Sequence, residues 1–327
     1  MRDAEYEIRS TKYGMRSAKI AIALFHHAIT ELFVEAFQIN STLAEHVVGS
    51  QNHVSGTYDI YSQLCFPNGT INATTIQFLI HGAGFDRSYW NVAPGYSYVD
   101  YAAEKGYTTS LYDRLGVGLS DHPDPIQTVQ VVGIRAPAHP ASAHRYQTNG
   151  VTTLHPDDFD AAVLTGFSPD MSGVLVAFAG SDLAIASQKL PLRLSGLPNG
   201  YLTTSSIEGT QQLFFRAPGF DPTLLNIVEA TKQTITLGEF FTSAPKVAAK
   251  FTGPIDVVNG ENDLPNCHGN CLVPYNKAAA VKDMFYPAAS NGSSWFLAAG
   301  AGHGLNLHYA APAAYEHIHN FIKANGF

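Results

Sequence analysis

The sequence predicts an α/β fold, and three observations carry the prediction. Short apolar runs recur along the chain and end in Gly, Asp, Asn or His, as buried parallel strands do when chemistry gathers at their carboxyl ends. Helical patterns lie between these runs, and alternation of strand and helix means helices packed on both faces of a mostly parallel central sheet. With 327 residues, 45% hydrophobic and 11% aromatic, the chain can bury a sizeable core in one large domain or two modest ones.

Residues 1–55 read as an N-terminal extension. Within it, MRSAKIAIALFHHAITELFVEA from Met15 has a basic start and an apolar run, interrupted by His26, His27 and Glu31. A degraded signal segment and an amphipathic helix both fit it. The strand-like runs begin with TYDIYSQLCF and TIQFLIHGAG. A helical pattern, SYVDYAAEKG, precedes the third, YTTSLYDRLG. FDAAVLTGF, PIDVVNGEND and SWFLAAGAGHG follow, and AAYEHIHNFIKANG closes the chain as a helix with Gly326 as its stop signal. Ahead of PIDVVNGEND, the stretch Ser187 to Ser243 is rich in aromatic residues and turn signals but lacks strand alternation. In such a fold it forms a helical lid over the site, or an ordinary packed excursion. The expected organisation is a core of 56–186 and 244–327 with a lid at 187–243.

Charge and composition exclude several functions. The 19 Lys and Arg against 27 Asp and Glu give a net charge of -8, without the basic clusters that neutralise phosphates, so no nucleic-acid partner is expected. No apolar run reaches the roughly 20 residues that span a bilayer, so no transmembrane segment is expected. Nor is a cofactor expected. The cysteines are Cys65, Cys267 and Cys271, the last two in NCHGNC. That spacing admits a small disulfide between Cys267 and Cys271 or a pair of reduced thiols. A metal site from Cys267, His268 and Cys271 would need a fourth ligand. Sequons at Asn40, Asn68, Asn72 and Asn291 acquire meaning with a route into the secretory pathway, which makes secretion the expectation and a cytoplasmic location the alternative.

LIHGAGFDRSYW places His81, Gly82, Ala83 and Gly84 directly after a strand. Small residues there let backbone N–H groups face a bound oxygen, as an oxyanion hole requires; a plain tight turn uses the same residues. After the next strand comes YDRLGVGLSDHP, with Asp113, Arg114, Gly116, Gly118, Ser120 and Asp121 in the order D-R-x-G-x-G-x-S-D. These two segments, in this order and at this separation, resemble the α/β-hydrolase family. The resemblance implies an oxyanion loop at Gly82–Ala83 with an N–H from Ala83. It makes the second segment structural, so Ser120 is not catalytic. It also implies a triad running nucleophile, acid, histidine along the chain, which maps the acid to Asp263 in VVNGENDLPNC and the base to His303 in AAGAGHGLNLH. A neutral imidazole takes the nucleophile's proton, and a carboxylate orients the ring. Glu261 and His308 are the rivals for these two roles.

The nucleophile is missing from this pattern. The signature G-x-S-x-G, whose small flanks permit the sharp strand-to-helix turn, occurs nowhere in the chain. Ser120, Ser181 and Ser195 are near misses, and none follows a strand at the right place. No Asp or Cys replacement stands out. Only 52 positions separate Leu111 from Val163, and a helix, the central strand, the elbow and a second helix of average length nearly fill that span. QTVQVVGIR resembles the approach to the helix before the elbow, TNGVTTLHP the end of the helix after it, and APAHPASAHR joins them with two prolines. The simplest expectation is that the central strand and elbow are lost. Two substitutes remain: Gly133–Ala136, which imitates an elbow with Arg135 at the nucleophile position, and Ser142, the nearest serine. The chain thus reads as an ester-type acyl hydrolase with impaired activity, or as an inactive relative holding a small apolar ester-like ligand.

Overall fold

The computed structural model describes residues 5–15, 26–43, 48–67, 75–126, 143–242 and 245–327. In chain order, strand β1 (Glu5–Met15), helix α1 (His26–Ala36) and strand β2 (Val48–Asp59) come first, with β1 and β2 paired antiparallel. Next are β3 (Ser62–Cys65), β4 (Ile76–Leu79), α2 (Tyr98–Glu104), β5 (Thr108–Tyr112), the two-residue β6 (Ala143–His144), α3 (Arg145–Leu154), β7 (Ala162–Thr165) and α4 (Ser172–Ser181). A cap follows: β8 (Ala184–Ile185), α5 (Ala186–Lys189), α6 (Pro191–Leu194), β9 (Tyr201–Thr203), α7 (Ile207–Phe214), α8 (Pro222–Thr231), β10 (Ile235–Thr236) and α9 (Leu237–Thr242). The chain then returns through β11 (Ile255–Gly260), α10 (Leu264–Cys267), α11 (Lys277–Phe285), β12 (Ser294–Ala298) and α12 (Ala311–Ala324).

Each strand-like run of the sequence contains one of these strands, and the reason lies in the two-residue period of side chains along a strand. Ala162 and Leu164 point into a cluster with Val257, Ala278 and Val281, where α11 packs. Val163, between them, joins Val258 and the α12 residues Ala314, Ile318 and Phe321 on the opposite face. Both faces are therefore covered, as a parallel sheet demands. The α12 residues Ala311, Ala314, Tyr315, Ile318, Phe321 and Ile322 are all buried, at the spacing of one helix face. The helix ends at Asn325, and Gly326 takes φ +84° just beyond it.

The sheet consists of two ladders. One has the order β3-β5-β4, with β3 antiparallel and β4 parallel to β5; the other is wholly parallel, in the order β12-β11-β7-β6. Among the described residues, β6 pairs with the carboxyl half of β7, Ala143 opposite Leu164 and His144 opposite Thr165. β4 touches β6, but among the described residues no ladder joins them. Packing spans the seam instead: Leu79 and Leu111 from one side share a cluster with Val163 and Val258 from the other. Ser142 and the Gly133–Ala136 stretch lie outside the described residues, as do Asn68, Asn72 and the 16–25 part of the segment from Met15.

The cap contains a small antiparallel sheet, β10-β9-β8. Sequence alternation does not reveal it because its strands are two or three residues long, too short to express a period of two. α1 packs onto this sheet: Ile29 is buried in one cluster with Ile185, Leu202, Ile235 and Leu237, against Ala83 and Phe240.

Candidate active site

The turn after β11 carries Asp263, which is fully buried and serves two purposes. One carboxylate oxygen, Oδ1, accepts the Asn266 backbone N–H at 2.8 Å and so caps α10. The other, Oδ2, lies 2.7 Å from His303 Nδ1. Proline at the start of α10 suits that cap. Cys267 and Cys271 are joined by a disulfide that closes the same turn, with Cα atoms 4.8 Å apart. Among the described residues no cluster of His, Cys, Asp and Glu could hold a metal ion.

His303 stands in the turn after β12. Its ring packs on Gly166, which has φ +64° and where any Cβ would come within 2.7 Å of the imidazole Cε1. Only glycine fits at that point, for both conformation and space. Asn266 Nδ2 completes the arrangement, donating to the Gly166 carbonyl at 2.7 Å and lying 3.2 Å from both Asp263 Oδ2 and His303 Nδ1. Sequence reasoning did not single out Asn266. Its signal was the three-residue spacing from Asp263 that marks a capped helix start.

The rivals fall elsewhere. His308 is fully buried and meets no carboxylate: its Nε2 accepts the backbone N–H groups of Gly302 and Arg216 at 3.0 and 2.9 Å, and its Nδ1 donates to the Gly304 carbonyl at 2.9 Å. Burial pushes its pKa down to about 4, so it is a neutral strut holding the turn on either side of His303. The Glu261 backbone N–H donates to the Ala298 carbonyl at 3.0 Å, and it is Asp263 whose carboxylate reaches the imidazole.

The segment after β4 is organised by His81, whose buried ring accepts the Arg114 N–H at Nε2, 3.1 Å, and lies 2.9 Å from the Gly82 carbonyl through Nδ1. This bond ties the D-R-x-G-x-G-x-S-D loop to the His81–Gly84 turn. In that loop the Asp113 carboxylate accepts the Arg87 and Leu119 N–H groups, each at 2.9 Å, and pairs with the Arg87 guanidinium at 2.6 Å. A Cβ at Gly118, which has φ +59°, would run into that carboxylate at 2.2 Å. Ser120 is buried with its hydroxyl donating to the Asp113 carbonyl at 2.6 Å and accepting the Tyr61 N–H at 2.9 Å. These bonds are structural.

His303, His81, Gly82 and Ala83 together line one cavity of about 400 Å³, within the range of small-molecule sites. Gly84 N–H is taken by the Thr234 carbonyl at 3.4 Å. The N–H groups of Gly82 and Ala83 donate to no described residue. Most of the remaining wall is apolar, from Phe85, Phe178, Phe214, Phe240 and Leu202 among others. Two cations reach the wall, and each is neutralised: Arg114 pairs with Glu239 at 2.8 Å and Lys232 with Glu229 at 2.5 Å. The cavity therefore suits a neutral, largely apolar ligand.

β6 passes directly into α3. There the strand ends at His144 and the helix begins at Arg145, and a guanidinium cannot attack a carbonyl. Ser142 lies just before β6, outside the described residues.

No family model and no curated sequence matches the chain. Solved structures do. The enol-lactonase from Burkholderia xenovorans LB400 superposes with a TM-score of 0.54 at 13% identity, covering 81% of this chain and 97% of its own. A thermophilic esterase from Thermogutta terrifontis gives 0.53 at 11% identity, over 83% and 95% of the two chains. The monoacylglycerol lipase of Paleococcus ferrophilus gives 0.51 at 12%, over 81% and 99%. At these identities the likeness is one of fold, and the fold is that of the α/β-hydrolases.

Proposed function

With the α/β-hydrolase fold as premise, we propose that this chain binds a small, neutral, apolar ester in its cavity and is an ester-type acyl hydrolase of impaired activity. The observation that carries the reading is the Asp263–His303 contact of 2.7 Å at the wall of an apolar cavity. In the intact chemistry a serine attacks, His303 serves as base and then acid, Asp263 orients it, and the Ala83 N–H together with the N–H after the serine holds the oxyanion. Arg145 at the strand–helix junction supports a second reading, an inactive protein that holds such a ligand without turnover. The retained acid–base pair favours the first. The test is displacement of an apolar fluorophore from the purified full chain. A neutral short-chain aryl ester is expected to compete while its free carboxylate does not, and absence of any fluorophore binding would overturn the reading.

The Cys267–Cys271 disulfide and the sequons support a secretory-pathway location. Of the sequons described, Asn40 sits in the turn after α1 and Asn291 is exposed before β12. Growth of the chain in a secreting host and a mobility shift on glycosidase treatment would test that placement.

A further inference from the structure

We propose that the cap positions the His303 imidazole through Phe214, so that the cap and the Asp263–His303 pair act as one unit. This rests on reading the cavity as an ester site, and it adds a positioning residue to that site. Phe214 is the last residue of α7 and is buried. Its ring lies nearly parallel to that of His303, with 17° between the planes and 6.2 Å between centroids, a separation at which aromatic rings attract. Its backbone carbonyl accepts the Gly304 N–H at 2.7 Å. One cap residue therefore meets both the ring of His303 and the backbone immediately after it.

The two glycines beside His303 show how close this approach is. Neither takes a positive φ, so it is space and not conformation that requires them. A Cβ at Gly302 would come within 2.9 Å of the Phe215 carbonyl carbon and 3.1 Å of the Phe214 oxygen, and one at Gly304 within 3.1 Å of that same oxygen. The contact continues along the cap chain. The Arg216 N–H donates to His308 Nε2, and the Tyr309 N–H to the Gly219 carbonyl, each at 2.9 Å. Residues 214–219 are thus laced to the turn that carries His303, and the cap is anchored at this end.

Phe214 faces the ligand space as well. It lines the cavity, packs on Phe85 with ring centroids 4.6 Å apart, and lies so near the His81–Gly84 turn that a Cβ at Gly84 would come within 3.3 Å of its Cζ. Its ring therefore reaches both the oxyanion turn and His303. The Asp263 contact gives the imidazole its direction, and a flat neighbour along its plane removes other orientations, as a preorganised site needs. A ligand packed on Phe214 presses on the ring that holds the imidazole, which couples occupancy of the cavity to alignment of the pair.

The experiment prepares the full-length chain with isotopically enriched histidine and reads by NMR, in mildly alkaline buffer, which ring nitrogen of His303 carries the proton. Loss of signals in His303→Gln assigns them. In the unsubstituted chain a single form is expected, with the proton on Nδ1 toward Asp263. Phe214→Ala is expected to replace it by a mixture of both tautomers, while Phe214→Leu, which refills most of the space, keeps the single form predominant. Leu224→Ala truncates a buried residue of the neighbouring cap helix α8. It should lower the thermal midpoint and leave the single form intact, which separates positioning from general loosening of the cap. If Phe214→Ala perturbs the fold by circular dichroism, Phe214→Val is read in its place. A single form retained in the folded truncation, or lost equally in Leu224→Ala, overturns this inference alone. An unsubstituted chain that binds no apolar fluorophore, or whose His303 does not hold its proton on Nδ1, overturns the ester-site reading beneath it.

Discussion

Asp263 joins two energies in one side chain, and substitution separates them. Asp263→Ala removes both the cap on α10 and the partner of His303, whereas Asp263→Asn keeps an acceptor for the Asn266 N–H. Loss of a helix cap costs about 1 kcal/mol. Denaturant titration should therefore find the alanine variant less stable than the asparagine variant by about that amount. His308 gives a second prediction. Its pKa is about 4 in the fold because it is buried, against about 6.5 in an unfolded chain. Between those values the unfolded state binds more protons than the native state, so stability falls as pH drops from about 6.5 toward 4. The full span is worth roughly 3 kcal/mol. His319, lowered by the same cause, adds to the loss with the same sign. Denaturation midpoints measured from about pH 7 down to about pH 5 should fall, and His308→Gln should flatten that slope.

At the scale of elements, α1 belongs to the site. It packs on the cap sheet through Ile29, which is 3% exposed, and its last residue, Ala36, reaches the cavity wall. Truncating a buried isoleucine costs about 2–4 kcal/mol. Ile29→Ala should lower the thermal midpoint and weaken fluorophore binding together, while Glu31→Ala, on the exposed face of the helix, should change neither. The core strands β3, β4, β5, β7, β11 and β12 and the helices α2 and α12 were legible in the sequence, β7 and β11 because strands buried on both faces read as short, mostly apolar runs. The end of α12 was legible because Gly326 alone there takes a positive φ. The cap sheet was not, since strands of two or three residues carry no periodicity. Within the site, Asp263 and His303 were legible because they match the acid and histidine positions that the resemblance implies, Asp263 at the end of GEND and His303 between two glycines. Asn266 was not, and His308 was read only as a rival base, because what they do is satisfy backbone and side-chain groups brought from distant segments: Gly166 for one, Arg216 for the other.

For the whole molecule, the two parts of the sheet meet, among the described residues, by side-chain packing and not by a ladder. Among the described residues, Ala143 and His144 of β6 pair with β7, and Leu79 and Leu111 pack with Val163 and Val258 across the seam. Native-state hydrogen exchange should show the β4 and β6 amides exchanging faster than those of β11, which is paired on both sides and buried throughout. Equal protection across the sheet would contradict that account.

The central proposal is that Asp263, His303 and the Gly82–Ala83 turn are the acid, base and oxyanion loop of an ester site at this cavity whose serine nucleophile has been lost. Intact-mass measurement of the full chain after exposure to an alkyl fluorophosphonate tests it most directly. An unmodified mass, from protein that still binds the apolar fluorophore, is the predicted result. A stoichiometric adduct that maps to a serine and disappears with Ser142→Ala would contradict it.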